Sequence, residues 1–164
     1  MTTKSLKVNY NLVESSDHLP VDEKKLVEEA RAMCGKAYAP YSAFFVGAAI
    51  LLENGKTVLG SNQENGAYPS GLCAERVAAF AASSMYPGIP MKKIAISART
   101  NRQQVSEPVS PCGACRQVLL EYETLQKGPM KVILSKESGS VITIEKAGDL
   151  LPLSFTGEQL KKPN

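Results

Sequence analysis

Hydrophobic residues first recur at helical spacing over residues 22–38. Asp22 is a suitable N-cap for a helix, and Pro40 cannot continue one. The preceding residues 1–20 are mostly polar and show no such period, so we predict an N-terminal arm there. The apolar face of the predicted helix consists of Leu26, Ala30, Met33 and Ala37.

Five later segments have the short apolar runs that are typical of strands. Residues 44–52 form a continuous apolar run, and Asn54 and Gly55 are the dipeptide that most favours a tight hairpin turn. The turn predicts antiparallel pairing of this run with the segment that follows. The five predicted strands span residues 44–52, 57–59, 93–98, 131–134 and 141–144.

Two more helices are predicted between these strands. Residues 73–82 are rich in alanine and contain no breaker before Pro87. A second helical run, residues 112–125, follows Pro111 and ends before Gly128. The order of elements is therefore α, β, β, α, β, α, β, β. Strands that alternate with helices imply helical crossovers, so we predict a three-layer α/β/α fold with a mixed five-stranded sheet.

The composition is that of a single globular domain, which we place at residues 21–160. Hydrophobic residues make up 43% of the 164 residues, and no apolar run approaches the roughly 20 residues that cross a bilayer. The net charge is only +3 and the cationic residues are scattered, which gives no electrostatic support for binding nucleic acid. The first ten residues lack the apolar core of a secretory signal, so we expect the chain in the cytoplasm, where thiols stay reduced.

Cys112 and Cys115 form a C-x-x-C pair at the start of a predicted helix, so both sulfurs project from the same first turn. This spacing suits one metal ion, but alone it also fits a redox-active dithiol or half of a structural zinc site. Cys73 begins the earlier helix, and a carboxylate, Glu75, follows two residues later. Three thiolates would leave the fourth position of a tetrahedral zinc ion open for water, which distinguishes a catalytic site from a structural one.

Cys34 and His18 are the other residues that could bind a metal ion through sulfur or an imidazole nitrogen. Cys34 has no acidic or metal-binding neighbour, and we expect it to be a small buried apolar residue. If Cys34 were a fourth ligand, the site would be closed and structural, and Glu75 would be a bystander; both possibilities stay open at this point. His18 lies in the arm and is expected to be a solvated surface residue.

The tripeptide C-A-E at residues 73–75 and the sequence P-C-G-A-C at residues 111–115 together resemble the zinc deaminases. The chain is similar to the small homotetrameric branch of the cytidine deaminase family over residues 26–160. This resemblance implies one zinc ion per subunit, whose bound hydroxide attacks C4 of the cytosine ring, and it implies that Glu75 carries the protons. The implied zinc ligands are Cys73, Cys112 and Cys115.

Three further motifs resemble substrate-binding segments of this family. PYSAFFVGAA contains the family's base-contacting phenylalanine at Phe44, although the strand pattern alone allows either Phe44 or Phe45 to face the core. The motif N-x-E-N occurs at residues 62–65, where it would bind the sugar hydroxyls. LLPLSF carries a phenylalanine that would reach into a neighbouring subunit, with plain core packing as the alternative. The residues that the resemblance assigns to the substrate are Phe44, Asn62, Glu64, Ala74 and Phe155.

The charge of a site with three thiolates needs compensation. Three thiolates and Zn²⁺ sum to about −1, which would make the zinc ion a poor Lewis acid. The two predicted helix N-termini offer partial positive charge and free N–H donors. Arg76 adds a full positive charge, and the resemblance places it against the ligand sulfurs; an ordinary surface arginine is the alternative.

The resemblance implies hydrolysis of cytidine and 2′-deoxycytidine to uridine and 2′-deoxyuridine with release of ammonia, a reaction of pyrimidine salvage. It also implies a homotetramer with active sites shared between subunits. Ser70, where relatives often have leucine, and the long loop at residues 99–110 depart from the family pattern. Deaminases of antibiotic nucleosides or polynucleotides share the zinc motif, but the N-x-E-N motif and the aromatic content of only 6% favour a free nucleoside. The non-enzymatic alternative is a binding domain that all four cysteines stabilise through zinc.

Overall fold

Six strands form one mixed sheet in the computed structural model, which describes residues 1–160. Three α-helices accompany the sheet within this part of the chain. In chain order the elements are β1 (Asn11–Val13), α1 (Val21–Met33), β2 (Phe44–Leu52), β3 (Thr57–Ser61), α2 (Ala74–Met85), β4 (Met91–Thr100), α3 (Gly113–Leu125), β5 (Lys131–Lys136) and β6 (Val141–Ile144).

The strand order in the sheet is β1-β6-β5-β4-β2-β3. β2 and β3 form the predicted antiparallel hairpin, and β4 and β5 are parallel because α3 crosses between them. The prediction of five strands is wrong, since β1 adds a sixth strand from within the N-terminal arm. Its three residues are too few to show a period of two, and the strand exists because β6 offers an edge, with Asn11 opposite Thr143 and Val13 opposite Val141.

The sheet has a helix layer on each face, so the predicted three-layer arrangement is confirmed. β4 shows the alternation clearly. Ala95 faces the core shared with α1, while Ile94 and Ile96 face the core shared with α2 and α3. All three side chains are buried. No helix described within residues 1–160 combines the length and the apolar character that crossing a membrane requires.

Helix α1 begins two residues earlier than the predicted N-cap implies, and it also ends earlier than the sequence predicts. Asp22 is not its N-cap: the carbonyl of Pro20 accepts the first helical hydrogen bond, from the N–H of Lys24 at 2.9 Å. The carboxylate of Asp22 instead accepts a hydrogen bond from Lys93 Nζ at 2.7 Å, so a tertiary ion pair replaces the local cap. After Met33 the chain tightens into one 3₁₀ turn, Cys34–Lys36.

Gly60 lets the first turn of α2 approach β3 closely. A Cβ atom at this position would lie 2.5 Å from the carbonyl oxygen of Ala74 and 2.6 Å from the backbone nitrogen of Ala78. Both are backbone atoms, which cannot move aside as a flexible side chain would. The absence of a side chain at Gly60 therefore sets the depth at which the start of α2 sits beside the sheet.

Candidate active site

A cavity of about 660 Å³ opens where α2 and α3 begin. The wall is formed by the residues just before β2, the first residues of β2, the loop between β3 and α2, the first turn of α2 and the loop before α3. The cavity lies on the face of the sheet that α2 and α3 cover, because Ile96 of β4 contributes to its wall.

Three sulfurs meet beside this cavity, and each comes from the beginning of a helix. Cys73 immediately precedes α2, Cys112 immediately precedes α3, and Cys115 lies in the first turn of α3. Neither Cys73 nor Cys112 uses its side chain to cap its helix, so both thiols are free to face the cluster. The sulfur atoms of Cys73 and Cys112 are 3.8 Å apart, and those of Cys112 and Cys115 are 3.5 Å apart.

These separations fit a zinc ion. Two sulfurs that bind tetrahedral zinc at about 2.3 Å lie about 3.8 Å from each other. All three sulfurs lie within 4.8 Å of one another, and no fourth histidine, cysteine or carboxylate joins this group among the described residues. The cluster therefore provides three ligands and leaves one coordination position to a water molecule or a substrate.

Cys34 lies apart from the cluster, on the α1 side of the sheet. It is 2% exposed, and its thiol donates to the carbonyl oxygens of Ser97 and Ala30 at 3.3 and 3.7 Å. Burial raises the pKa of this thiol, which keeps it neutral. The prediction of a small buried residue is confirmed, and a site with all four cysteines is not formed. His18 is exposed in the arm, as predicted.

The thiol of Cys73 is more acidic than an ordinary cysteine thiol. A hydrogen bond from Cys115, followed by hydrogen bonds from Arg76 and Cys112, lowers the pKa of Cys73 to about 5. The same contact with Cys73, together with burial, raises the pKa of Cys115. The guanidinium of Arg76 is 3.9 Å from the Cys73 sulfur. One thiolate is thus stabilised even before a metal ion draws the other protons off.

Glu75 is the second residue of α2, two residues after Cys73, and it contributes to the cavity wall. Its side chain is only 4% exposed. Burial raises the pKa of this carboxyl group, and the negative charge of Cys73 acts in the same direction. A carboxyl group that is held away from bulk water can accept a proton and return it, which is the requirement for a shuttle.

Phe44, Asn62 and Glu64 line the same cavity, on the side formed by β2 and the loop after β3. The amide of Asn62 is anchored to the backbone of β2: it accepts from the N–H of Val46 at 2.7 Å and donates to the carbonyl of Phe44 at 2.9 Å. An amide has four hydrogen-bonding positions, so two remain for a ligand. The ring of Phe45 instead lies 4.9 Å below the guanidinium of Arg99.

Ala74 and Phe155, which the resemblance also assigns to the substrate, do not line the cavity. Ala74 is fully buried in the first turn of α2. Phe155 is 54% exposed, and its carbonyl accepts a hydrogen bond from Gln117 Nε2 at 3.0 Å. Phe155 is therefore not core packing within its own chain.

Several cavity residues were not assigned from the sequence. Tyr41 and Tyr68 meet edge to face at the rim, with ring centroids 5.9 Å apart. Ser42 and Val109 also contribute to the wall. Ser42 belongs to the PYS motif that identified Phe44, whereas Val109 lies in the long loop at residues 99–110 and nothing in its sequence context indicates a cavity.

An α/β/α domain that sets three thiols at two helix starts, with a buried carboxyl two residues after the first thiol, belongs to the class of zinc deaminases. Residues 20–128 match the family model described as "Cytidine and deoxycytidylate deaminase zinc-binding region".

Named relatives extend this match to most of the chain. The cytidine deaminase of Sporosarcina psychrophila is 43% identical over 143 residues, which cover 85% of this chain and 96% of that protein. The cytidine deaminase of Mycobacterium tuberculosis is 34% identical over 87% of this chain and 96% of its own length. The crystal structure of cytidine deaminase from Burkholderia pseudomallei matches with a TM-score of 0.69 at 43% identity, over 80% of this chain and 97% of that chain. The chain therefore belongs to the cytidine deaminase family and is a hydrolase of that family.

Proposed function

We propose that the protein hydrolyses the exocyclic amine of cytidine and 2′-deoxycytidine, releasing ammonia and leaving uridine or 2′-deoxyuridine, as a step of pyrimidine salvage in the cytoplasm. The observation that carries this proposal is one cavity with the sulfur cluster and Glu75 at one side and Phe44, Asn62 and Glu64 at the other. The four free thiols suit a compartment in which cysteines stay reduced. An assay that compares cytidine with free cytosine tests the proposal, because only the nucleoside can use the polar residues for its sugar.

The sulfur cluster would hold the zinc ion. When bound by Cys73, Cys112 and Cys115, zinc acts as a Lewis acid that makes a water-derived nucleophile available near neutral pH. The separations of the sulfurs support this metal, and the absence of a fourth protein ligand among residues 1–160 supports a catalytic role for it.

Glu75 would move the protons of the reaction. Its carboxylate would take one proton from the attacking water and deliver it to N3 of the cytosine ring. It would then take the remaining proton of that water from the new C4 hydroxyl and deliver it to the amine, so that ammonia leaves and C4 becomes a carbonyl. Burial keeps bulk water away from this carboxyl, and its raised pKa matches the alternation between base and acid.

Phe44, Asn62 and Glu64 would orient the nucleoside. The ring of Phe44 offers an apolar surface to the base, while Asn62 and Glu64 retain hydrogen-bonding positions that suit sugar hydroxyls. A base without a sugar would leave these polar groups unpaired in the complex, which costs binding free energy.

Arg76 would offset the negative charge of the cluster. Its guanidinium lies against the Cys73 sulfur, where a positive charge compensates the excess charge of three thiolates.

We expect Arg76→Gln to weaken zinc retention against a competing chelator by about tenfold and to reduce kcat. Tenfold is the lower end of the loss in metal affinity that follows when a residue supporting a metal ligand is removed. Arg99→Gln makes the same change in charge at an arginine that stacks on Phe45, and should leave both values unchanged. Unaltered zinc retention and kcat in Arg76→Gln would refute this role.

We also propose that the protein is a homotetramer in which Phe155 enters the cavity of a neighbouring subunit. The exposed ring of Phe155 and its position outside the cavity of its own chain support this arrangement. Light scattering of the purified protein tests it, and a monomeric mass with full activity would exclude it.

A further inference from the structure

The rim of the cavity turns sharply just before Phe44. Ala43 has a φ of +55°, in the left-handed region that residues other than glycine rarely adopt. Such a conformation persists only where the surrounding contacts determine it. The contacts on either side of Ala43 therefore decide where the first residue of β2 points.

Ser42 bridges this turn through its hydroxyl group. Ser42 Oγ accepts a hydrogen bond from the N–H of Phe44 at 3.0 Å, which spans Ala43. The same hydroxyl donates a hydrogen bond to Glu64 Oε1. One atom thus connects the backbone of Phe44 to the carboxylate of Glu64 across the cavity rim.

The carboxylate of Glu64 is occupied mainly by this turn. Its Oε2 accepts from the backbone N–H groups of Tyr41 and Ser42 at 2.8 and 3.3 Å, in addition to the Ser42 hydroxyl on Oε1. A carboxylate offers about four acceptor positions, so about one remains for a ligand. The hydrogen bond from Ser42 is the main cause that lowers the pKa of Glu64, so the group stays an acceptor at neutral pH.

We propose that Ser42 is a positioning residue for nucleoside binding, whose hydroxyl aims the free acceptor position of Glu64 at a sugar hydroxyl and holds Phe44 at the base. This inference rests on the proposed function, because it requires Glu64 to bind the sugar. Ser42 acts through Glu64 and Phe44 and takes no part in moving protons. Its loss should therefore weaken ground-state and transition-state binding alike, which raises KM and leaves kcat nearly unchanged.

Steady-state kinetics of Ser42→Ala and Ser42→Thr test this role. We expect Ser42→Ala to raise KM for cytidine about tenfold, the effect of losing a hydrogen bond to a charged group, with kcat within twofold of the wild type. Ser42→Thr keeps the hydroxyl and should restore KM to within about threefold. Ser138→Ala makes the same change in an exposed turn and should change neither constant. Melting temperature and zinc content, measured on each variant, show that the fold and the metal site persist.

A double-mutant cycle with Glu64→Gln decides whether Ser42 acts through Glu64. On that background Ser42→Ala should raise KM less than it does in the wild type, because only its support of Phe44 remains to be lost. With 3′-deoxycytidine as substrate its effect should shrink in the same way. Suppose that Glu64→Gln raises KM more for cytidine than for 3′-deoxycytidine, but Ser42→Ala raises KM equally for both substrates. The positioning role is then overturned, and the proposed function stands. If Glu64→Gln changes KM equally for cytidine and 3′-deoxycytidine, the sugar contact of the proposed function is wrong, and this inference is wrong with it.

Discussion

Replacing Glu75 with glutamine is expected to lower kcat for cytidine by at least about 10³-fold while the protein keeps its zinc. Glutamine has nearly the same shape as glutamate but cannot accept a proton and return it. Because Glu75 is expected to act first as a base and then as an acid, one substitution removes two proton transfers. The zinc ligands are unchanged, so the metal content should stay at one ion per chain. Single-turnover deamination and metal analysis of the same sample measure both quantities.

Glu28→Gln is a matched control for this variant. Glu28 is an exposed residue of α1, on the opposite face of the sheet from the cavity. The same chemical change there should leave kcat within experimental error. A Glu75→Gln protein that deaminates cytidine at a rate near that of the wild type, with zinc bound, would show that another group carries the protons.

Removing one sulfur of the cluster should abolish both zinc binding and activity. Cys115→Ser replaces a fully buried thiol ligand at 3.5 Å from its neighbour by a hydroxyl that is a poor ligand for zinc. Changes outside the ligand shell weaken metal binding by about 10–100-fold, and loss of a ligand should exceed that range. We expect less than about a tenth of a zinc ion per purified chain and no measurable deamination.

Cys34→Ser separates the catalytic site from a structural site with four cysteines. The serine hydroxyl can donate to the carbonyl of Ser97 or Ala30 as the thiol does, so the cost in stability should be about 1 kcal/mol. Zinc content and kcat should match the wild type. Loss of zinc from Cys34→Ser, or retention of zinc and activity in Cys115→Ser, would contradict the assignment of the ligands.

Strands made mostly of apolar residues could be predicted closely from the sequence. The bounds of β2 and β6 agree with the predicted residues 44–52 and 141–144. β4 was predicted too short, because its ladder continues into polar residues: Thr100 pairs with Phe44 although nothing in its own neighbourhood indicates a strand. Pairing with a neighbouring strand thus overrides local composition at strand ends.

Two further errors of fold came from tertiary contacts. β1 exists only as an addition to the edge of β6, and the N-cap assigned to Asp22 was lost to an ion pair with Lys93, 71 residues away in sequence. Neither partner is adjacent in the chain, so no local pattern could reveal either contact.

The sulfur cluster could be predicted from the sequence, whereas the hydrogen bonds of Glu64 could not. C-A-E and P-C-G-A-C place the three thiols at two helix starts. Helix geometry brings Cys112 and Cys115 together, and the packing of α2 beside α3 adds Cys73. By contrast, the motif at residues 62–65 gives no sign that Glu64 accepts three hydrogen bonds from the Tyr41–Ser42 turn. The left-handed conformation of Ala43, which follows this turn, is likewise not indicated by an alanine in a sequence.

The most direct measurement is the loss of cytidine absorbance by the purified protein, with and without a zinc chelator, beside free cytosine as a control. We predict that cytidine disappears only while zinc is bound, that added zinc restores the rate after chelation, and that cytosine is not consumed. Deamination that survives complete removal of zinc, or a zinc-loaded protein that leaves cytidine intact, would contradict the proposed zinc-dependent nucleoside deaminase.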